Sequence, residues 1–446
     1  MPLRKAVDPM QLPQSVFDCL SRLENAGYAC YAVGGCVRDW LLGLTPHDYD
    51  LCTAATPEQI QRVFAGERLV LAGEKHGTVG VVTPGGVVEI TTFRTEGDYQ
   101  DNRHPGWVKF VEQIEGDLSR RDFTVNAMAW SPTRGLCDPF GGQQDLHDRV
   151  LRAVGDPATR FREDSLRILR GVRFAVRYDL TPDPKTLEAM ISEAPLMDNL
   201  ARERVFDELC KLLPLVDAED LLRFVPILWQ VIPDLKPMVG FDQRSPHHAY
   251  DIFTHTAHVT AAVPSDPVLR FAALLHDTGK VPAFTTDETG RGHFYGHAQL
   301  SAQMADAILR QLKAPTAFRE QVVQLIDLHM TKPQAEKKAV RRLLSKLGLE
   351  RLRQLWCLQK ADTSSKGICK DEELHHFVVL DALLSEILSE DSCLQIKDLA
   401  IDGKDLMALG FSGPAIGQAL NALLEQVLDE KIPNQREALL SAVKKL

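Results

Sequence analysis

The chain has 446 residues, 44% apolar and 25% charged, with a net charge of −10 at pH 7. That length exceeds a single core and implies two to four domains, and the acidic balance excludes a generally basic nucleic-acid binder, so contact with nucleic acid must come from local basic patches. Nine scattered cysteines with no Cys-x-x-Cys pair, and no signal peptide, point to a reducing cytosol, and no apolar run approaches the roughly 18 residues of a membrane span. In chain order, residues 12–27 carry an amphipathic helical pattern ending on Gly27. "CYAVGG" (30–35) predicts a short strand broken by glycine, "VRDWLLG" (37–43) one or two helical turns stopped by Gly43, and "YDLCTAA" (49–55) another strand. Thr56-Pro57 opens a further helix with proline at its first position. Residues 78–93, "TVGVVTPGGVVEITTF", predict a hairpin of two β-branched runs around Pro-Gly-Gly. From about Leu151 onward the pattern is helical almost throughout, without a clear repeat or a low-complexity tract.

The stretch "YAVGGCVRDWLLGLTPHDYDLCT" (31–53) concentrates the first chemistry. Side chains alternate along a strand, so Asp48 and Asp50 point to one face. Two carboxylates projecting together suit a hard divalent cation such as Mg²⁺. Gly34 and Gly35 stand before a helix, where backbone can approach a phosphate and free N–H groups favour anions. Arg38 adds a charge that suits phosphate. The combination describes a site for a metal-bound nucleoside triphosphate; the bland alternative is a turn followed by an idle solvated Asp-x-Asp. A two-metal site wants a third carboxylate. Glu89, flanked by Val88 and Ile90 and facing away from them, is the candidate, against an ordinary solvent-facing glutamate.

Residues 162–178 read as one helix on which Arg167, Arg170, Arg173 and Arg177 share a side, opposite Ile168, Leu169, Val172 and Val176. Asp164, three residues before Arg167, is then its surface neighbour. Without further information this is a salt bridge on a solvated basic face. Asp122 precedes a predicted helix start and is placed as a candidate N-cap.

This set of residues resembles the nucleotidyltransferase superfamily of DNA polymerase β, and more closely the class II bacterial tRNA nucleotidyltransferases and poly(A) polymerases. "GGCVRDWLLGLTPHDYD" (34–50) matches the metal motif of that family. "TTFRTEGDYQDNRHPGWVKFVEQIEGDLSRRDFTVNAMAW" (91–130) matches its loop and second motif, "CDPFGGQQDL" (137–146) its third, and "REDSLRILRGVRFAVRY" (162–178) its fourth. The tail from Ile401 to Asn434 is similar to the family's C-terminal helices. The resemblance implies that Arg121 contacts the nucleotide, that Asp122 belongs to the ribose region with Asn126 in support, and that Asp164 and Arg167 read the base, with Arg170 and Arg173 lining the pocket. Cytosine and adenine both present an amino donor beside a ring-nitrogen acceptor, an order that a carboxylate and a guanidinium complement. Uracil and guanine would leave protein groups unpaired, and such sites reject strongly.

A third region carries different chemistry. His255, His276-Asp277 and Asp362 match the HD phosphohydrolase spacing, and His297 and His329 are placed to complete a second metal position. Mixed histidine and carboxylate ligands suit a transition metal. The resulting expectation is an α+β protein: a polymerase-β-like nucleotidyltransferase head with a mixed sheet (1–145), an all-α neck (146–240), an HD domain (241–365) and a helical tail (366–446). Its expected activity is template-independent addition of C, C and A to the 3′ end of tRNA from CTP and ATP, in the cytoplasm, with Asp48 and Asp50 holding two Mg²⁺ ions and tRNA held mainly through shape and phosphate contacts. Alternatives are a poly(A) polymerase, a CC-only or A-only enzyme, and, from another class, a metal-dependent HD phosphohydrolase. "LAGEKHGTVGVV" (71–82) resembles the tRNA enzymes, and "RTEGDYQDNRHPGWVKF" (94–110) resembles the flexible loop that CC-only enzymes lack.

Overall fold

The computed structural model describes residues 10–97, 107–245, 249–367, 371–390 and 393–444. The centre of the expected flexible loop (98–106) and His247-His248 lie outside the described residues. The chain divides into two compact units, Met1–Val216 with Arg223–Pro233, and Asp217–Leu222 with Asp234–Leu446.

The first unit opens with α1 (Gln14–Asn25), whose Val16, Cys19, Leu20 and Leu23 form the buried stripe of an amphipathic helix. Strand β1 (Cys30–Val33), helix α2 (Gly35–Leu41), strand β2 (Asp50–Thr53) and helix α3 (Pro57–Val63) follow. The Thr56 side chain accepts the Gln59 N–H and Pro57 sits in the first turn of α3, the reason this helix starts where it does. Then come β3 (Leu69–Val70), the hairpin β4 (Thr78–Thr83) and β5 (Gly86–Thr92), the separate ribbon β6 (Arg94–Gly97) with β7 (Trp107–Phe110), helix α4 (Ile114–Ser119), and strands β8 (Ala129–Ser131) and β9 (Gly135–Cys137). Among the described residues one seven-stranded mixed sheet runs in the order β3-β4-β5-β2-β1-β8-β9. Its one parallel pair, β2 with β5, sets Leu51 opposite Ile90, so Asp50 and Glu89 stand at matching steps of neighbouring strands. Tyr31, Val33, Cys52, Phe93, Ile114, Leu118, Ala127 and Ala129 pack into one of the cores against this sheet.

The chain then passes through α5 (Gly142–His147) and β10 (Val150–Leu151) into α6 (Pro157–Glu163) and α7 (Leu166–Tyr178). The single helix expected over 162–178 is broken. Asp164 is extended (φ −143°, ψ 101°) because its carboxylate accepts the Leu166 N–H at 3.1 Å, a local bond that competes with helix continuation. After β11 (Thr181–Pro182), which pairs in parallel with β10, helices α8 (Pro184–Ser192), α9 (Arg202–Leu212) and α10 (Ala218–Val231) follow.

The second unit is helical: α11 (Ile252–Ala262), α12 (Pro267–Leu275), the short α13 (Lys280–Ala283), a two-stranded ribbon β12 (Thr285–Thr286) with β13 (Gly292–His293), then α14 (His297–Gln311), α15 (Thr316–Leu328), α16 (Lys337–Leu347), α17 (Leu349–Ser364) and α18 (Asp371–Ser389). The tail helices α19 (Gly403–Ala408), α20 (Pro414–Leu428) and α21 (Arg436–Val443) close a small core of their own around Leu406, Leu423 and Leu439. No helix of the described residues is long and apolar enough to cross a membrane.

Candidate active site and a second histidine–aspartate centre

Asp50 begins β2 and Glu89 sits in β5 between the buried Val88 and Ile90, so both carboxylates lie on the open side of the sheet. Burial raises the Asp50 carboxyl above its ordinary range, and Glu89 and Asp48 push it further while Arg121 opposes them. Asp48 lies in the loop just before β2, and the three carboxylates are not among the described groups whose ligand atoms lie within 4.8 Å of one another. Asp50 and Glu89 stand at matching steps of paired strands, and Asp48 and Glu89 are near enough to act on Asp50 electrostatically. Oxygen-only donors under mutual repulsion fit a hard divalent cation.

Gly34 follows β1 with φ +78°, and a Cβ there would come within 2.7 Å of Arg121 Nη1. Only glycine serves both demands. At Gly35 a Cβ would meet ordinary contact, 3.5 Å from Arg38 Nη2. Arg121 pairs with the fully buried Asp117 at 3.3 Å, and its Nε is buried without a hydrogen-bond partner. Burial alone would raise Asp117; Arg120 and Arg121 overcome it and hold the carboxyl below its usual range.

Arg38 is engaged by protein groups. It is buried, with Nε and Nη2 donating to Asp39 Oδ1 (2.9 and 2.8 Å), Nη2 also to the Tyr178 hydroxyl (2.5 Å) and Nη1 to Asn126 Oδ1. Its guanidinium lies 4.2 Å from the Tyr178 ring centre. It braces α2 against the end of α7. Asp122 is likewise not an N-cap of the short 3₁₀ turn Thr124–Asn126. Its Oδ1 accepts from the Phe123 N–H (2.8 Å) and Asn126 Nδ2 (3.0 Å), and its Oδ2 from Arg170 Nε (2.9 Å) and Nη2 (2.7 Å). Arg38, Asn126, Asp122 and Arg170 form one chain of bonds from α2 to α7.

Asp164 and Arg167 are close in sequence but not paired. Asp164 Oδ2 accepts from Arg204 Nη2 at 3.0 Å, whereas Arg167 Nη1 donates to Glu163 Oε2 (2.6 Å) and the Arg160 carbonyl, and its Nη2 to the Arg120 carbonyl. The helix break at Asp164 removes the three-residue spacing on which the expected pair relied. Arg173 is buried against Glu208 at 2.5 Å rather than lining an open pocket. Neither Arg204 nor Glu208 stood out in the sequence, since nothing in "RERVFDEL" (202–209) says which side chain it will meet.

In the second unit, the described residues hold two groups whose ligand atoms lie within 4.8 Å of one another: His255, His276 and Asp277, and Asp277, His297 and His329. Asp362 joins the first, its Oδ1 3.0 Å from His255 Nε2. The Nδ1 atoms of His255, His276, His297 and His329 each contact a backbone carbonyl, those of Ser365, Ala273, Phe294 and Ile326. A carbonyl only accepts, so each Nδ1 carries a proton and Nε2 is the nitrogen left to face the carboxylates, where either a proton or a metal ion can sit. Nε2 of His276 and of His297 has no hydrogen-bond partner and faces the Asp277 carboxylate at 3.2 and 3.5 Å. Burial also drives His329 down to about 4. Buried ring nitrogens directed at a carboxylate fit a cation between them. A cavity of about 240 Å³, lined by Asp277, Lys280, His297, His329, Asp362 and Lys366, opens onto this centre.

The mixed sheet with acidic residues at the β2 and β5 positions defines a polymerase-β-like nucleotidyltransferase. The family model for the poly A polymerase head domain matches residues 30–152, that for a probable RNA- and SrmB-binding site of polymerase A matches 179–237, and that for a putative tRNA nucleotidyltransferase domain 2 matches 284–443. The CCA-adding enzyme of Streptococcus suis is 33% identical over 439 residues, covering 97% of this chain and 96% of its own. That of Levilactobacillus brevis is 35% identical over 435 residues, covering 95% and 96%. The crystal structure of the Bacillus stearothermophilus CCA-adding enzyme in complex with CTP aligns with TM-score 0.70 and 27% identity over 98% of both chains. The Thermotoga maritima CCA-adding enzyme complexed with tRNA shares the fold, with TM-score 0.62 and 19% identity over 98% of this chain and 96% of its own. The chain belongs to the CCA-adding enzyme family.

Proposed function

We propose that this protein adds C, C and A in turn to the 3′ end of tRNA, drawing on CTP and ATP and releasing pyrophosphate. The observation that carries the reading is the register of β2 with β5, which sets Asp50 and Glu89 at matching steps, within a chain related to CCA-adding enzymes over nearly its whole length. The tRNA 3′-hydroxyl attacks the α-phosphate, the bond to the β-phosphate breaks, and pyrophosphate leaves. Asp48 and Asp50, with Glu89 as third ligand, would hold Mg²⁺, which when bound would lower the pKa of the attacking hydroxyl and neutralise the leaving group. Arg121, partly exposed and paired with Asp117, contributes positive charge for the triphosphate. Asp164 accepts from the exocyclic amino group of C or A, and Arg167, with three of five donors engaged by protein, donates to the ring nitrogen. Arg38, Asp122, Asn126, Arg170 and Arg173 keep this constellation in place. Gly34 and Gly35 leave the approach to the carboxylates open. The finer division into head (1–145), neck (146–240), HD domain (241–365) and tail (366–446), and a place in the cytoplasm, belong to the same reading.

The orphaned Nε2 atoms favour a second centre that binds a transition metal. His255, His276, Asp277 and Asp362 hold one ion and Asp277, His297 and His329 another; when bound, the metal activates water for phosphate-ester hydrolysis. Incubating tRNA that ends before CCA, after C and after CC with each labelled nucleoside triphosphate, then sequencing the products, tests the main reading. Ordered C, C, A addition is expected. Runs of A alone would mean a poly(A) polymerase, and a stop after CC a partial enzyme.

A further inference from the structure

Asp164 occupies a two-residue break between α6 and α7, a place where a side chain is free to swing. Two donors prevent this. The Leu166 N–H holds Oδ1 at 3.1 Å, and Arg204 Nη2 holds Oδ2 at 3.0 Å. Arg204 reaches it from α9, forty residues away along the chain. One turn further along the same face, Glu208 pairs with Arg173. The packing of α9 on α7 does not need Arg204: Val205, Leu209 and Leu212 are buried, and the Arg173–Glu208 pair is nearly inaccessible. Arg204 is half-buried, and its Nη1 is enclosed without a hydrogen-bond partner. A guanidinium that leaves one nitrogen unsatisfied to hold a carboxylate with the other costs stability, and such costs call for an explanation in function.

We propose that Arg204 is a specificity-positioning residue: it fixes the Asp164 carboxylate as an oriented acceptor for the exocyclic amino group of an incoming C or A. The inference rests on the reading of Asp164 and Arg167 as the base-contacting pair. A carboxylate offers about four acceptor positions. Two are filled, one on each oxygen, so each oxygen retains one for the base. With both oxygens pinned, the carboxylate cannot turn aside when a carbonyl of uracil or guanine is presented, and the mismatch is felt as repulsion between two acceptors. Without Arg204, Oδ2 is released, the carboxylate rotates away from that clash, and selection weakens.

Single-turnover rates would be measured for CTP and UTP on tRNA ending before CCA, and for ATP and GTP on tRNA ending in CC. The proteins would be the parent and Arg204→Ala, Arg204→Gln, Arg204→Lys and Asp164→Ala. Arg162→Ala, which breaks an exposed pair with Glu193 on α6, serves as the control for ion-pair loss nearby. The expected result is a roughly tenfold fall in the C-over-U and A-over-G preferences for Arg204→Ala and Arg204→Gln, equal to about 1.4 kcal/mol. Most of the preference should return in Arg204→Lys, and none should be lost in the control. If Asp164→Ala erodes the preference but Arg204→Ala does not, the role given to Arg204 is wrong. If neither does, the base is read elsewhere and the underlying reading of Asp164 falls too. Should the alanine variant fail to fold, the glutamine variant decides: parental selectivity there overturns the proposal.

Discussion

Asp122→Asn tests whether the buried chain of bonds from α2 to α7 is what organises the nucleotide pocket. Four donors converge on this one carboxylate: the Phe123 N–H, Asn126 Nδ2, and Nε and Nη2 of Arg170. They use the acceptor positions a carboxylate has, so Asp122 keeps none for a ribose hydroxyl and acts by tying α7 to the head. Asparagine presents an acceptor on one side only, and its amide hydrogens meet existing donors on the other. The substitution also leaves Arg170 without its counter-charge. Asp122 is buried but the Arg170 side chain is 37% exposed, so solvent screens part of the loss and the cost is about 2 kcal/mol, which for a unit of this size lowers Tm by about 4–8 °C. Burial opposes the charged form of Asp122, but Arg170 and Asn126 outweigh it and hold the folded carboxyl far below its ordinary value. The stabilisation is therefore complete above the unfolded pKa of about 3.9 and drains away as pH falls below it. Thermal unfolding of both proteins between pH 7 and pH 3 should show the full gap at pH 7 and a shrinking one below about pH 4. A variant within about 2 °C of the parent at pH 7, or a gap that does not narrow in acid, would refute the reasoning.

Three further substitutions probe separate parts of the molecule. Asp50→Asn should abolish nucleotide addition, and Mg²⁺ should raise the Tm of the parent only. Equal Mg²⁺ shifts in both proteins would remove the metal assignment. Gly34→Ala combines a positive φ of +78° with a Cβ 2.7 Å from Arg121 Nη1, so about 1–3 kcal/mol of strain and a large loss of addition rate are expected, and parental values of both would contradict the close approach. His276→Ala combined with Asp277→Ala should empty the second centre of transition metal, read by mass spectrometry of the purified protein, and abolish hydrolysis of a model phosphodiester while CCA addition continues; parallel loss of addition would make this centre a structural support instead.

The elements of the head were legible because each carries a local signal. Pro57 and Thr56 start α3, Gly34 ends β1, and Pro84-Gly85-Gly86 turns the β4–β5 hairpin. The pairing of β2 with β5 was not legible, since parallel register depends on contacts that no local pattern encodes. That register sets Glu89 beside Asp50, although alternation in β5 already indicated which way Glu89 would face. The histidine–aspartate residues were legible through their likeness to the HD phosphohydrolase pattern, while the carbonyls that contact each Nδ1 emerged only with the folded backbone.

The arginine helix marks where local reading stops. A three-residue step puts Arg167, Arg170 and Arg173 on one side of α7, and periodicity alone cannot separate a solvated basic face from a binding pocket. In the folded chain each meets a different acid: Glu163 from α6, Asp122 from the loop before the 3₁₀ turn, and Glu208 from α9. Arg177, last in the series, is exposed and lies over the Tyr178 ring instead. The acids neutralise the stripe before any nucleotide arrives, so net positive charge is not what draws in a base. What remains is a set of donors and acceptors with their directions already fixed, which costs little reorganisation when a base enters. Discrimination in such a pocket comes from geometry, and it should survive raised salt far better than tRNA binding does, because phosphate contacts weaken steeply as counterions compete. Measuring the C-over-U preference and the tRNA affinity across the same salt series separates the two: the affinity should fall while the preference holds, and a preference that decays with the affinity would show that the arginines act as bulk charge after all.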